Sequence, residues 1–128
     1  MTHPDSTQGI ILFAHGSRDP LWHKPMEAVA ERIRHSAPDT VVVSAYLELS
    51  TPDLATAMAA MQEAGVGSVT VVPLFLGVGK HAREDLPVLV AGLRQQYQDI
   101  QIALAPAVSE DPRLIQILAE ISLSPAAA

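Results

Sequence analysis

Val69-Thr-Val-Val-Pro-Leu-Phe-Leu-Gly-Val-Gly-Lys-His81 is the stretch that decides how the rest of the chain is read. From Val69 to Leu76 it is too continuously apolar and β-branched for a strand with one wet face. Such a run suits the interior of a parallel sheet covered by helices on both sides. Gly77 and Gly79 then free the backbone to turn sharply and approach a ligand closely, and His81 follows at the strand's edge. An earlier stretch has the same form: Ile10-Ile-Leu-Phe-Ala14 is a short apolar strand, and His15-Gly-Ser-Arg-Asp-Pro20 comes after it. Two strands that each deliver a histidine predict a group bound just beyond the sheet.

The pattern on either side of this stretch is consistent with that reading. A first strand over about Gly9–Ala14 leads to a helix whose apolar stripe is Trp22, Met26, Val29, Ala30 and Ile33, with Pro25 in its first turn. Val41–Leu47 is the second strand, and its end presents Glu48. The second helix is expected to start with Thr51 as N-cap and Pro52 at the first helical position. It buries Leu54, Ala57, Met58, Met61 and Ala64 and stops at Gly65. Pro87 would break a helix beginning as early as His81, so the third helix is placed from about Asp85, with Leu86, Leu89, Val90, Leu93 and Tyr97 inward and His81 in a loop. Ile100–Ala105 alternates more and reads as an edge strand. Asp111-Pro112 opens a fourth helix through Leu114, Leu118 and Ile121, and residues 1–8 and 122–128 read as flexible tails.

Strands alternating with helices at about 30-residue spacing predict a three-layer α/β domain with a four-stranded parallel sheet and right-handed crossovers. In the order 2-1-3-4, strands one and three are neighbours, and ligands of such sheets sit beyond the carboxyl ends near the point where strand order reverses. His15 and His81 then face one another across that point.

The composition narrows the function classes. A chain of 128 residues fits a single domain and can bury roughly 65–70% of its unfolded surface. With no cysteine, disulfides, thiolate metal sites and iron–sulfur clusters are excluded, and any metal must be held by nitrogen and oxygen. A net charge of −6 with eight scattered Lys and Arg disfavours a nucleic-acid or anionic-membrane surface. No leader-like or membrane-length apolar run is present, so a cytoplasmic protein with a small ligand is expected.

His15, Glu48 and His81 carry the chemistry of this reading. They are separated by 33 residues and again by 33, one βα unit each time. Two imidazoles and a carboxylate offered from neighbouring strand ends form a facial set that holds a divalent first-row metal while leaving positions open. His3, His23 and His35 fall in the tail or on and beside the first helix and are given no such task. Ser17, Arg18, Lys80 and Arg83 surround the same mouth and suit an acidic ligand, with Leu76 and Val78 as an apolar floor. Gly77-Val-Gly-Lys80 is no phosphate loop, because the spacing is wrong and His81 stands where the hydroxyl is required. Phosphoryl transfer with His15 as nucleophile is a competing reading, but Ala14 occupies the place where phosphohistidine enzymes carry an arginine.

Phe13-Ala-His-Gly-Ser-Arg-Asp-Pro20, Tyr46-Leu-Glu-Leu-Ser-Thr-Pro52 and Val72-Pro-Leu-Phe-Leu-Gly-Val-Gly-Lys-His81 together resemble the class II tetrapyrrole chelatases, specifically the sirohydrochlorin cobaltochelatase and ferrochelatase group. The resemblance implies a flavodoxin-like chelatase fold and ATP-independent insertion of Co²⁺ or Fe²⁺ into sirohydrochlorin, in cobalamin or sirohaem biosynthesis. It implies that His15 and His81 bind the metal and that Glu48 assists binding or takes pyrrole protons. Ni²⁺ or Zn²⁺ would also suit such ligands, and no nucleotide, haem or iron–sulfur cluster is implied. Members of the group usually carry two lobes, so this chain resembles a short single-lobe form. Either two copies pair across a shared cleft, with Trp22, Leu49 and Val78 as apolar contacts, or the chain stores or delivers metal.

Overall fold

The computed structural model describes residues 7–77 and 79–125, His81 without its side chain. The apolar segments form strands β1 (Thr7–Ala14), β2 (Val41–Tyr46), β3 (Val66–Pro73) and β4 (Gln101–Leu104). All pair in parallel, in the order β2-β1-β3-β4 expected from the sequence. Between and after them lie α1 (Lys24–Ser36), α2 (Leu54–Glu63), α3 (Lys80–Gln96) and α4 (Pro112–Leu123), with short 3₁₀ turns at Pro20–His23 and Val108–Glu110.

Why β1 is apolar at nearly every position follows from its place in the middle. Ile11 and Phe13 face α2 and α3, joining Met58, Met61, Val69, Val71 and Val90 in one core. Leu12 and Ala14 face α1, joining Met26, Ala30, Val42 and Tyr46 in another. With each full side-chain burial contributing about 1.5–3 kcal/mol, a polar residue at any of these β1 positions is excluded. At the sheet's two outer strands, Arg34 Nη2 donates to the Val42 carbonyl at 3.0 Å and Arg94 Nε to the Ile102 carbonyl at 2.9 Å, satisfying groups that edge strands leave unpaired.

Several boundaries differ from the sequence reading. β3 leaves the sheet at Pro73 rather than Leu76: Leu74 N–H makes the last bond, to the Phe13 carbonyl at 2.8 Å, and β1 offers no partner beyond Ala14. Phe75 then turns into the core while Leu76 is 68% exposed. The third helix begins at Lys80, not Asp85, so His81 lies in its first turn and Pro87 sits inside it. Pro87 removes only one helical bond, to the Arg83 carbonyl, and both residues lie on the exposed side where water replaces it.

The cap of α2 is Asp53, whose carboxylate accepts the Thr56 N–H at 2.8 Å, and not Thr51, which precedes a cis peptide bond to Pro52. Trp22 belongs to the 3₁₀ turn, whose tighter period puts it out of phase with the α1 stripe, and it is exposed, as are Val29 and Leu89. Ala64, the C-cap of α2, is also exposed. Residues 7–8 are part of β1 and 122–123 part of α4, while residues 1–6 and 126–128 lie outside the described residues. Asp111 caps α4, yet that helix buries no side chain: Ile115, Ile117, Ile121 and Leu123 are all exposed.

Candidate functional site

The site is built where β1, β2 and β3 end. Main-chain pairing between β1 and β2 continues past the sheet, with Leu47 N–H donating to the Ala14 carbonyl at 2.9 Å and Glu48 N–H to the His15 carbonyl at 3.0 Å. This extension brings the loop carrying His15 beside the loop carrying Glu48. The approach requires glycine at position 16. Its φ is +99°, and a β-carbon there would lie 1.8 Å from the Glu48 carbonyl oxygen. Leu49, at φ 63°, turns the second loop back, a sparsely populated conformation for a branched side chain. Ser50 Oγ then donates to the Ser17 carbonyl and accepts the Ser17 N–H at 3.0 Å.

His15 is half-buried, and its ring rests on Phe75, with centroids 4.4 Å apart and planes tilted by 31°. Phe75 is itself fixed edge-on against Phe13 at 6.0 Å. The imidazole therefore stands on an apolar platform supplied by the β3–α3 loop, and among the described residues neither ring nitrogen has a hydrogen-bond partner. Glu48 is exposed, and its carboxylate is likewise unpartnered among them. Free lone pairs on both groups are what a metal-handling site needs.

His81 is placed by the first turn of α3, the helix that follows β3, the strand next to β1, and its side chain lies outside the described residues. Among the described residues no three His, Asp or Glu side chains converge as a metal cluster, so His15 and Glu48 make up the described part of the expected set. Val78 also lies outside the described residues. Arg18, Lys80 and Arg83 are exposed and form no ion pair among the described residues. Ser17 Oγ accepts the Asp19 N–H at 3.1 Å, so part of its hydrogen-bonding capacity goes to the loop itself. Arg83 stands at a cavity of about 440 Å³ at the ends of β3 and β4, with Phe75, Leu86, Pro87 and Pro106 among its walls.

Sequence reasoning missed three contributors. Phe75 was counted within a strand, whereas it is the platform for His15. Gly16 was passed over in favour of Gly77 and Gly79, which have no left-handed φ and open space where a β-carbon would sit. His23, assigned no task, stacks on Tyr46 with ring centroids 4.7 Å apart and reaches Ser50 Oγ at 3.0 Å. No spacing along the chain signals that contact, since it spans 27 residues. Tyr46 beneath it has its phenol raised above the ordinary value, first by burial and then by the Glu27 charge.

Comparison with known proteins bears on this edge. A family described as CbiX matches residues 9–123. The sirohydrochlorin cobaltochelatase of Methanopyrus kandleri is 32% identical over 90 residues, which are 70% of this chain and 62% of that protein. The crystal structure of a CbiX protein from Marinobacter aquaeolei VT8 superposes with a TM-score of 0.76 at 35% identity, covering 91% of this chain and 92% of the other. The sirohydrochlorin chelatase SirB from Bacillus subtilis subspecies spizizenii, solved in complex with cobalt, superposes with a TM-score of 0.77 at 26% identity. That match covers 94% of this chain but only 51% of SirB, so the chain spans about half of the cobalt-bound relative.

Proposed function

The chain belongs to the CbiX family, and on that premise we propose that it inserts Co²⁺ or Fe²⁺ into sirohydrochlorin without ATP. The observation that carries this reading is that an imidazole and a carboxylate, both without partners among the described residues, stand on adjacent loops fastened by the main chain. Insertion requires stripping water from the ion, removing two pyrrole protons and presenting open coordination positions to ring nitrogens. His15 and His81 hold the metal incompletely, and Glu48 assists as a ligand or takes a departing proton. Arg18, Lys80 and Arg83 meet the acidic substituents of the macrocycle, Ser17 adds a hydroxyl, and Leu76 and Val78 lie under the ring. The enzyme is then a lyase forming metal–nitrogen bonds in cobalamin or sirohaem biosynthesis, acting in the cytoplasm; no helix among the described residues is long and apolar enough to cross a membrane.

The working unit in this proposal is a homodimer. A macrocycle on one open sheet edge leaves a face wet, and water there competes for the ion. A second copy across a two-fold axis covers it. Exposed Trp22 and Leu49 support such a contact. Light scattering at micromolar concentration tests it: a monomer with full activity refutes the pairing.

Absorbance spectroscopy of sirohydrochlorin mixed with the protein and Co²⁺ or Fe²⁺ tests the activity. The expected result is conversion to the metal complex well above the uncatalysed rate. Tight Co²⁺ binding with no acceleration assigns the chain to metal storage or delivery instead.

A further inference from the structure

We infer that His23 and Ser50 form a positioning clamp that fixes the His15 loop to the Glu48 loop; its effect on turnover rests on the chelatase reading above, but its geometry does not. The paired residues advance in step. His15 and Glu48 are joined by a main-chain bond, and two residues further along each loop Ser17 and Ser50 are joined by the Ser50 side chain. Ser50 thus adds one more rung to the β1–β2 ladder, at the point where Leu49, in its left-handed conformation, has turned the main chain out of register.

The hydroxyl's capacity fixes the role of His23. Ser50 has one proton, which goes to the Ser17 carbonyl, and its two acceptor positions are taken by Ser17 N–H and by His23 Nε2. Nε2 therefore carries the hydrogen and donates. The imidazole cannot swing away, because it lies on Tyr46 with the planes 20° apart. Tyr46 is buried, is the last residue of β2 and closes the loop through its N–H to the Pro52 carbonyl at 2.9 Å. The chain of contacts runs from the core through Tyr46 and His23 to Ser50 and Ser17, and ends beside the two groups proposed to handle metal. Tyr46, His23 and Ser50 need touch neither metal nor macrocycle.

Three variants test the clamp. Ser50→Ala removes every bond of the rung. His23→Phe keeps a ring on Tyr46 without the donor, and His23→Gln keeps an N–H near the position of Nε2. Since displacements of about 1 Å at a reacting centre cost on the order of 100-fold, Ser50→Ala and His23→Phe are expected to lower turnover by about tenfold or more. They should also shift the visible absorption band of the Co²⁺-loaded protein and speed amide exchange at Glu48, with far-UV circular dichroism unchanged; His23→Gln should restore all three. Turnover within about twofold of wild type, with an unchanged Co²⁺ band and unchanged Glu48 exchange in both Ser50→Ala and His23→Phe, overturns the inference. If the wild type binds Co²⁺ but inserts none, the chelatase reading fails while the Co²⁺ band and the exchange rate still decide the clamp. If it binds none, exchange at Glu48 decides alone. Should Ser50→Ala fail to fold, the contrast between His23→Phe and His23→Gln carries the test.

Discussion

Replacing Gly16 by alanine should be the most damaging single-methyl change at the site. The new β-carbon would lie 1.8 Å from the Glu48 carbonyl oxygen and 3.2 Å from the Tyr46 β-carbon, where contacts under 3.0 Å are not tolerated. Relief requires the two loops to part by roughly an ångström or more, which breaks the Glu48-to-His15 bond of 3.0 Å and the Ser17–Ser50 rung. Two to three hydrogen bonds at about 1 kcal/mol each, and about 1 kcal/mol or more for holding φ at +99° in a residue with a side chain, sum to about 3–4 kcal/mol. Water reaching these half-buried loops returns part of this, leaving about 3 kcal/mol, or about 10 °C in melting temperature for a domain of this size. Gly77→Ala is the matched control: its β-carbon meets nothing within 4 Å, so a change within about 0.5 kcal/mol is expected. Thermal unfolding of the pair, followed by the tetrapyrrole absorbance assay, checks both. A Gly16→Ala protein as stable as Gly77→Ala and fully active would show that the close approach of the loops is not what builds the site.

His15→Ala and His81→Ala should each abolish insertion while the fold persists; loss of the His15 ring from Phe75 costs about 0.5–1.5 kcal/mol, readable in chemical denaturation. Glu48→Gln should lower turnover more than it lowers Co²⁺ affinity if the carboxylate acts as a base, and steady-state rates set beside Co²⁺ titrations separate the two. Acid should loosen α4 late. Arg113, through its side chain and then its N–H, holds the capping carboxyl of Asp111 at about 2, below the ordinary value of 3.8. Because the folded value is depressed, the cap's contribution is fully present above about 4 and is lost as pH falls toward about 2. Amide exchange in α4 across that range reports it, and loss of protection already at pH 5 would contradict the assignment.

Much of the fold could be read along the chain. The alternation of strands and helices followed from the spacing of apolar runs, and the alternation of Ile11 and Phe13 against Leu12 and Ala14 between two cores is the reason β1 shows no polar face. The α3 boundary was misread because a proline's local rule is strong, yet a 17-residue helix tolerates one missing bond on its wet side. The stripe through Trp22 was misread because a 3₁₀ turn changes the period just before α1 begins.

The sequence by itself determined which residues stand at strand ends, since hydrophobic periodicity and punctuation are local and survive in one dimension. His15 and Glu48 were placed that way, and His81 was placed after the third strand, although in a loop and not in the first turn of α3. Only the tertiary structure decided what holds the first two together. The register of β2 on β1 sets Gly16 under the Glu48 carbonyl and Ser50 over Ser17, and the core beneath sets Phe75 under His15 and Tyr46 under His23. Those contacts join residues 23 to 60 positions apart, where the identity of one says nothing about the other until the sheet has brought their loops to the same edge.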